Sequence, residues 1–262
     1  PGHSPITNPC GIASGVVTGL PGGGDGHGKK PPVPQGATQG MNGTDLKPLD
    51  KPSTKWEAGS EQEVAWAILA NHGGGYQYRL CPKSSEPTEA CFQSHPLQFV
   101  GNTTTIRMVQ QVDRAKVPDF QIPAMDVNKG TKPKGSFWRR NPVPACNCDL
   151  GFLCGRFSKP YWIDPDAKTK TPSCPTGTQF VPPHPSIYGY NTFYHEANEE
   201  VVHEVVEGRL AHTHEVGKEG MTYSLVDKVR VPLQKGEYVL SFRWDCEQTA
   251  QVWNSCADIE IV

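Results

Sequence analysis

No run of about 18 apolar residues occurs anywhere in the chain, so no segment is long enough to cross a bilayer as a helix. Charge of one sign is not in excess either. The 25 Lys and Arg stand against 27 Asp and Glu, and a net charge of −2 argues against nucleic acid or an anionic membrane as partner. Only 36% of the 262 residues are hydrophobic, yet the sequence is too varied to be disordered. Several enzyme signatures are missing as well. No Cys-x-x-Cys pair recurs, and Cys146-Asn147-Cys148 has the wrong spacing for a zinc ribbon. No Gly-Lys-Ser/Thr follows the glycines of Gly22-Gly23-Gly24-Asp25-Gly26, which excludes a phosphate loop. There is no His-Glu-x-x-His for a zinc protease and no Gly-x-Ser-x-Gly for a serine hydrolase. No paired-carboxylate signature of a glycosidase stands out. Internal repeats are absent.

What is abundant points to turns and crosslinks. The 27 glycines and 25 prolines favour loops over long helices. Nine cysteines are scattered at turn-like positions: Cys10, Cys81, Cys91, Cys146, Cys148, Cys154, Cys174, Cys246 and Cys256. That usage reads as a disulfide framework made in an oxidising compartment. Two sequons, Asn42-Gly43-Thr44 and Asn102-Thr103-Thr104, fit a secreted glycoprotein. The first residues do not read as a secretory leader, so the expectation is a mature or trimmed chain. Nine is odd, so one cysteine is free, pairs with another chain, or has lost its mate. Cys10 is expected to have lost a partner upstream.

Residues 1–54 form a Gly/Pro-rich stretch, expected as an ordered loop on a core or a mobile arm. Val64, Trp66, Ile68 and Ala70 alternate in step with His72, and period two means a strand. Gly73-Gly74-Gly75 reads as a turn, after which Tyr76, Tyr78 and Leu80 alternate again. The pair is expected to be a hairpin. Residues 99–109, 222–231, 237–244 and 256–262 are further strands. Residues 112–222 are expected to be a loop-rich, cysteine-containing insertion, with 195–210 its helical candidate. The whole, 1–262, is expected to be one all-β domain: an immunoglobulin- or fibronectin-III-like antiparallel β-sandwich.

Two segments carry more than fold. The first is Ala65-Trp66-Ala67-Ile68-Leu69-Ala70-Asn71-His72-Gly73-Gly74-Gly75-Tyr76-Gln77-Tyr78-Arg79-Leu80-Cys81-Pro82. The second runs from Gly236 to Cys246 and then through Gln251-Val252-Trp253-Asn254-Ser255-Cys256-Ala257-Asp258-Ile259. Together they resemble the second-histidine strand and the closing strands of the lytic polysaccharide monooxygenases, in particular the eukaryotic branch. The resemblance covers roughly 60–82 and 225–262.

It implies a single copper held by three nitrogens: the amino group and ring of an N-terminal histidine, and a second histidine. Such a T-shaped set suits both copper oxidation states. His72 is then the second ligand. Trp253, five positions before Asp258, takes the axial place where the family has Tyr or Phe. Gln251 takes a place that orients the oxygen species, and Ala70 lies beside the axial side. The implied activity is oxidative cleavage of chitin or cellulose at a flat surface, fed by an electron donor or peroxide. The chain departs from the family at its start, Pro1-Gly2-His3, because proline brings no imidazole and the His3 nitrogen lies in a peptide bond. The missing histidine is expected upstream.

Each residue also has a plain structural reading. His72 is otherwise a hydrogen-bonded surface histidine, and Trp253 a rim or core tryptophan. His195, His203, His212 and His214 read as solvated, and His3, His27, His95 and His184 as loop residues. Expected disulfides are Cys81–Cys91 and Cys246–Cys256, with Cys146, Cys148, Cys154 and Cys174 pairing among themselves in one of three ways. A second function stays open: a non-catalytic carbohydrate-binding or self-assembling extracellular protein on the same sandwich.

Overall fold

The computed structural model describes residues 1–13, 33, 36–47, 50–52, 54–68, 73–108, 119–142, 205–206, 209–210, 223–246 and 251–262. In chain order the elements are β1 (Thr54–Trp56), β2 (Glu61–Trp66), β3 (Gly75–Pro82), α1 (Glu89–Ser94), β4 (Phe99–Met108), β5 (Phe120–Pro123), β6 (Asp126–Val127) and β7 (Trp138–Arg140). They continue with β8 (Val205–Val206), β9 (Arg209–Leu210), β10 (Tyr223–Arg230), β11 (Gly236–Asp245) and β12 (Val252–Ile261). One six-stranded sheet runs β1-β12-β11-β3-β7-β6, and one four-stranded sheet runs β2-β10-β4-β5. β8 and β9 pair with each other.

The two sheets share one apolar core, so the fold is an all-β sandwich. Trp66 and Val64 of β2, with Leu225 and Val229 of β10, meet Tyr76, Tyr78 and Leu80 of β3 and Trp244 of β11. The aromatic rings interlock: Trp66 lies 4.7 Å from Tyr76 and 5.2 Å from Trp244, between centroids. Tyr76 meets Tyr78 and Phe99 edge to face, at 88° and 86° between ring planes, the favoured quadrupole arrangement. The alternation is realised in β2 for Val64 and Trp66, each buried beside the exposed Ala65; Ile68 is buried beyond the strand's end, and Ala70 and His72 lie outside the described residues.

β3 is different, since seven of its eight residues are buried. Its inner face carries the aromatics. Its outer face carries Gln77, Arg79 and Cys81: Gln77 donates to the Phe137 carbonyl at 2.8 Å, while Arg79 and Cys81 meet Glu89 and Cys91 of α1. Thr88 caps α1 through its side-chain oxygen, which accepts the Cys91 N–H at 3.2 Å. Phe92 of α1 packs under the Arg79 guanidinium at 5.4 Å.

Four expectations need correction. β2 and β3 do not form a hairpin: β2 pairs with β10 in one sheet and β3 with β11 and β7 in the other. The reason is burial. A strand covered on both faces belongs inside a sheet between two partners, and the chain crosses the sandwich between Trp66 and Gly75. The sandwich is also not wholly antiparallel, because β1 runs parallel to β12. Those strands come from opposite ends of the sequence, so no tight turn imposes an antiparallel pairing.

The third concerns the insertion. Within 112–222, β5 extends the four-stranded sheet and β6 and β7 extend the six-stranded one. The helical candidate 195–210 ends in the paired strands β8 and β9. The β-branched pair Val205-Val206 favours an extended backbone there. The rest of that candidate lies outside the described residues.

The fourth is a disulfide. Cys256 bonds to Cys10, not to Cys246, and Cys10 therefore has its partner within the chain. Register explains it. Cys256 sits opposite Ser241 in the β11–β12 ladder, five residues along β11 from Cys246, or roughly 17 Å at the rise of a strand. That is far beyond the reach of a disulfide. Cys81–Cys91 forms as expected. Cys146, Cys148, Cys154 and Cys174 lie outside the described residues. No helix among the described residues is long and apolar enough to cross a membrane.

Candidate functional site

The six-stranded sheet ends where β3 begins and β11 stops. Gly73-Gly74-Gly75 enters there and is held by the ends of its neighbours. The Trp244 indole N–H donates to the Gly73 carbonyl at 2.7 Å. The Asn141 backbone N–H donates to the Gly74 carbonyl at 2.8 Å. Gly74 has φ +83°, and a Cβ there would overlap the Asp245 carbonyl. Only glycine allows this approach. The turn is thus pinned, and with it the chain on the C-terminal side of His72. His72 and Ala70 themselves lie outside the described residues.

Trp253 reaches the same end from β12. It stands directly opposite Trp244 in the ladder, so both project from one face of the sheet. Trp244 is 5% exposed and belongs to the core, whereas Trp253 is 43% exposed. The four-stranded sheet covers the first and leaves the second at the rim. Gln251 is half-buried at the β11–β12 connection, where its carbonyl accepts the Cys246 N–H at 3.0 Å.

The start of the chain lies here too. Pro1 packs on Gly75, and its carbonyl accepts the Lys132 N–H at 3.1 Å. Pro1, His3, Ser4, Gly74, Gly75, Val127, Arg140, Asp245 and Cys246 line a cleft of ≈ 260 Å³. The His3 ring Nε2 is 3.1 Å from the Gly130 carbonyl. Among the described residues, no three His, Cys, Asp or Glu side chains cluster as a metal site. His72 is not among those residues.

Behind the cleft the outer face of the sheet is ionic. Arg79 and Arg243 both donate to Glu89 Oε1, at 2.6 and 2.8 Å. Arg243 also grips Asp245 with two bonds of 2.6 and 3.1 Å. Burial pushes the Arg79 guanidinium below its ordinary value, and the Glu89 carboxylate opposes that shift. The N-terminal segment lies over this layer. Ser241 donates to the Pro9 carbonyl at 3.1 Å, and Asn254 to the Asn8 carbonyl at 3.2 Å. The Cys10–Cys256 bond closes it down.

On the inner side, Asp227 is 2% exposed and accepts from Tyr76, Thr104 and Arg139 at 2.6, 2.7 and 3.1 Å. Burial and the Asp227 charge hold the Tyr76 phenol well above its ordinary range, and Tyr78 follows for the same two reasons. Burial works against the Arg139 charge, but Asp126 and Asp227 outweigh it and keep that group above its usual value.

Positions 1, 73, 251 and 253 therefore lie at the same end of the six-stranded sheet, with Gly2 against Asp245 on its outer face and Trp253 on the face of Trp244. Asp245, Arg243 and Arg140 complete the neighbourhood but carried no signal of their own in the sequence. Arg243 and Asp245 fall on one face of β11, two residues apart. That spacing shows they share a face, not what the face meets. Of the remaining sequence features, Asn102 is exposed on β4, and Asn42 donates to Asp45 at 3.1 Å beside the Ile12–Asn42 bridge. His95 is exposed at the end of α1, its Nδ1 2.9 Å from the Cys91 carbonyl. No protein-family model matches the chain, and no curated protein sequence matches it.

Proposed function

We propose that this protein is a secreted, copper-dependent monooxygenase that cleaves a β-linked polysaccharide such as chitin or cellulose by oxidation. The supporting observation is convergence. The Pro1–Ser4 segment, the Gly73–Gly75 turn that follows His72, and the Gln251–Trp253 segment come to one end of a sheet from three distant parts of the sequence. A nitrogen-ligated copper site of the kind the sequence resembles needs those three inputs together.

In this reading the His72 imidazole is the ligand that this chain contributes from its interior. Trp253 and Gln251 would stand beside a copper held there, Gln251 offering its amide to what binds next to the metal. Copper held there would supply one-electron chemistry toward oxygen or peroxide, drawing on an external electron donor. The part-exposed Trp253 indole offers an apolar face against which a sugar ring stacks. The Cys10–Cys256 and Cys81–Cys91 disulfides are compatible with life outside the cell, and the Asn42 and Asn102 sequons would carry glycans there.

The exposure of Trp253 favours one other reading, a non-catalytic carbohydrate-binding protein. One experiment separates them. Mass spectrometry of the native protein identifies its N-terminal residue, and metal analysis counts its copper. The proposal expects an N-terminal histidine, about one copper per chain, and oxidised oligosaccharides from chitin or cellulose with a reductant present. His72→Ala is expected to abolish tight copper binding while the sandwich stays folded. A native protein that starts at Pro1 and binds polysaccharide but no copper would leave the binding role alone standing.

A further inference from the structure

Four parts of the chain meet behind the cleft with no room to spare. The Gly2 N–H donates to Asp245 Oδ2 at 2.6 Å, and the bond is buried. Asp245 is itself 5% exposed. Its carboxylate is fixed from behind by Arg243, whose Nε donates to Oδ1 at 2.6 Å and whose Nη2 donates to Oδ2 at 3.1 Å. The same Nη2 donates to the Ser4 carbonyl at 2.8 Å. Gly2 has φ +86°, and a Cβ there would overlap the Lys132 carbonyl. On the far side, Gly74 lies against the Asp245 carbonyl. Asp245 thus touches Gly2 with its side chain and the turn after His72 with its backbone carbonyl.

We infer that Asp245, backed by Arg243, is a positioning residue that fixes Pro1–Ser4 against the Gly73–Gly75 turn. Its functional meaning rests on the copper reading, since there it would hold the segment that follows the expected upstream histidine against the Gly73–Gly75 turn. The charge matters as well as the shape. One carboxylate accepts from Gly2 and twice from Arg243, and buried charge-assisted bonds of this kind are the strong ones. An asparagine has one acceptor oxygen and cannot keep all three.

The test uses the full native protein and Asp245→Asn, with Asp227→Asn as a control of equal charge change in the other buried network. Without copper, NMR reads the Gly2 amide. In the wild type it is expected downfield and protected from exchange. In Asp245→Asn it is expected to move toward the coil position and exchange at least about tenfold faster, the loss of one buried bond to a charged group. In Asp227→Asn it is expected to stay put. With copper, Asp245→Asn is expected to weaken affinity at least about tenfold and to change the hyperfine splitting of the Cu(II) spectrum, which Asp227→Asn leaves alone. A Gly2 amide unmoved by Asp245→Asn overturns the inference, and so does a copper spectrum and affinity identical to wild type. If the wild type binds no copper, the monooxygenase reading falls, and the amide result still judges the clamp.

Discussion

Removing the Cys10–Cys256 bond isolates the largest single constraint on this fold. The two residues are 246 apart in sequence. Closing a loop of that length removes about 5.5 kcal/mol of unfolded-chain entropy at 25 °C in the chain-entropy relation. Closing the ten-residue separation of Cys81–Cys91 removes about 2.7 kcal/mol by the same relation. The folded state changes little in the first case, because Ser241, Arg243 and Asn254 still hold the N-terminal segment by its carbonyls. The paired variant Cys10→Ala/Cys256→Ala is therefore expected to lose about twice the stability of Cys81→Ala/Cys91→Ala. Urea unfolding followed by tryptophan fluorescence measures both. The denaturant slope of the first variant is expected to rise, since its unfolded chain exposes more surface. Total stabilities of domains are only about 5–15 kcal/mol, so this variant is expected to sit near its unfolding midpoint at modest urea. A loss no larger than that of the short-loop variant, with the slope unchanged, would refute the reasoning. It would mean that the N-terminal segment is not part of the cooperative unit.

Two further outcomes follow from the inner network. Asp227→Ala strands the buried Tyr76 and Thr104 hydroxyls and takes one carboxylate from Arg139, so a loss of about 3–5 kcal/mol is expected; a urea-measured loss below about 1 kcal/mol would show the network to be dispensable. Alkaline pH acts on the same place. The folded-state phenols of Tyr76 and Tyr78 are raised, so the folded protein holds protons that the unfolded chain releases near pH 10 or so. That contribution is whole below the unfolded value and is lost as pH rises beyond it. Phenolate absorbance from these two is expected to appear together with loss of the near-ultraviolet circular dichroism; phenolate appearing first, in an intact fold, counts against their burial.

Much of the frame was legible along the chain. The alternation of Val64 and Trp66, of Tyr76, Tyr78 and Leu80, and of residues 237–244 marked strands, because period two is a local property of a half-buried sheet. The pairing of those strands was not legible. β3 carries Arg79 and Gln77 on its second face, which reads as solvent-facing; they are buried where Glu89 of α1 meets Arg79 and the Phe137 carbonyl meets Gln77. The Cys81–Cys91 bond was readable because both residues flank one short loop. Cys10 was not, since its partner is set by where a distant arm lies on β12.

The candidate site divides along the same line. By itself the sequence determined which residue types are at hand: a histidine after a strand, a glycine turn, a tryptophan five residues before an aspartate, and cysteines suited to oxidation. Those are properties of short stretches, and short stretches fix local geometry. Only the tertiary structure decided that Pro1, Gly74, Asp245 and Trp253 share one end of one sheet, and that Trp253 stays exposed while its cross-strand partner Trp244 is buried. Such neighbourhoods come from sheet order and register, which depend on contacts between residues more than 240 positions apart, as Gly2 and Asp245 are at 243 and Cys10 and Cys256 at 246, and no local pattern carries them.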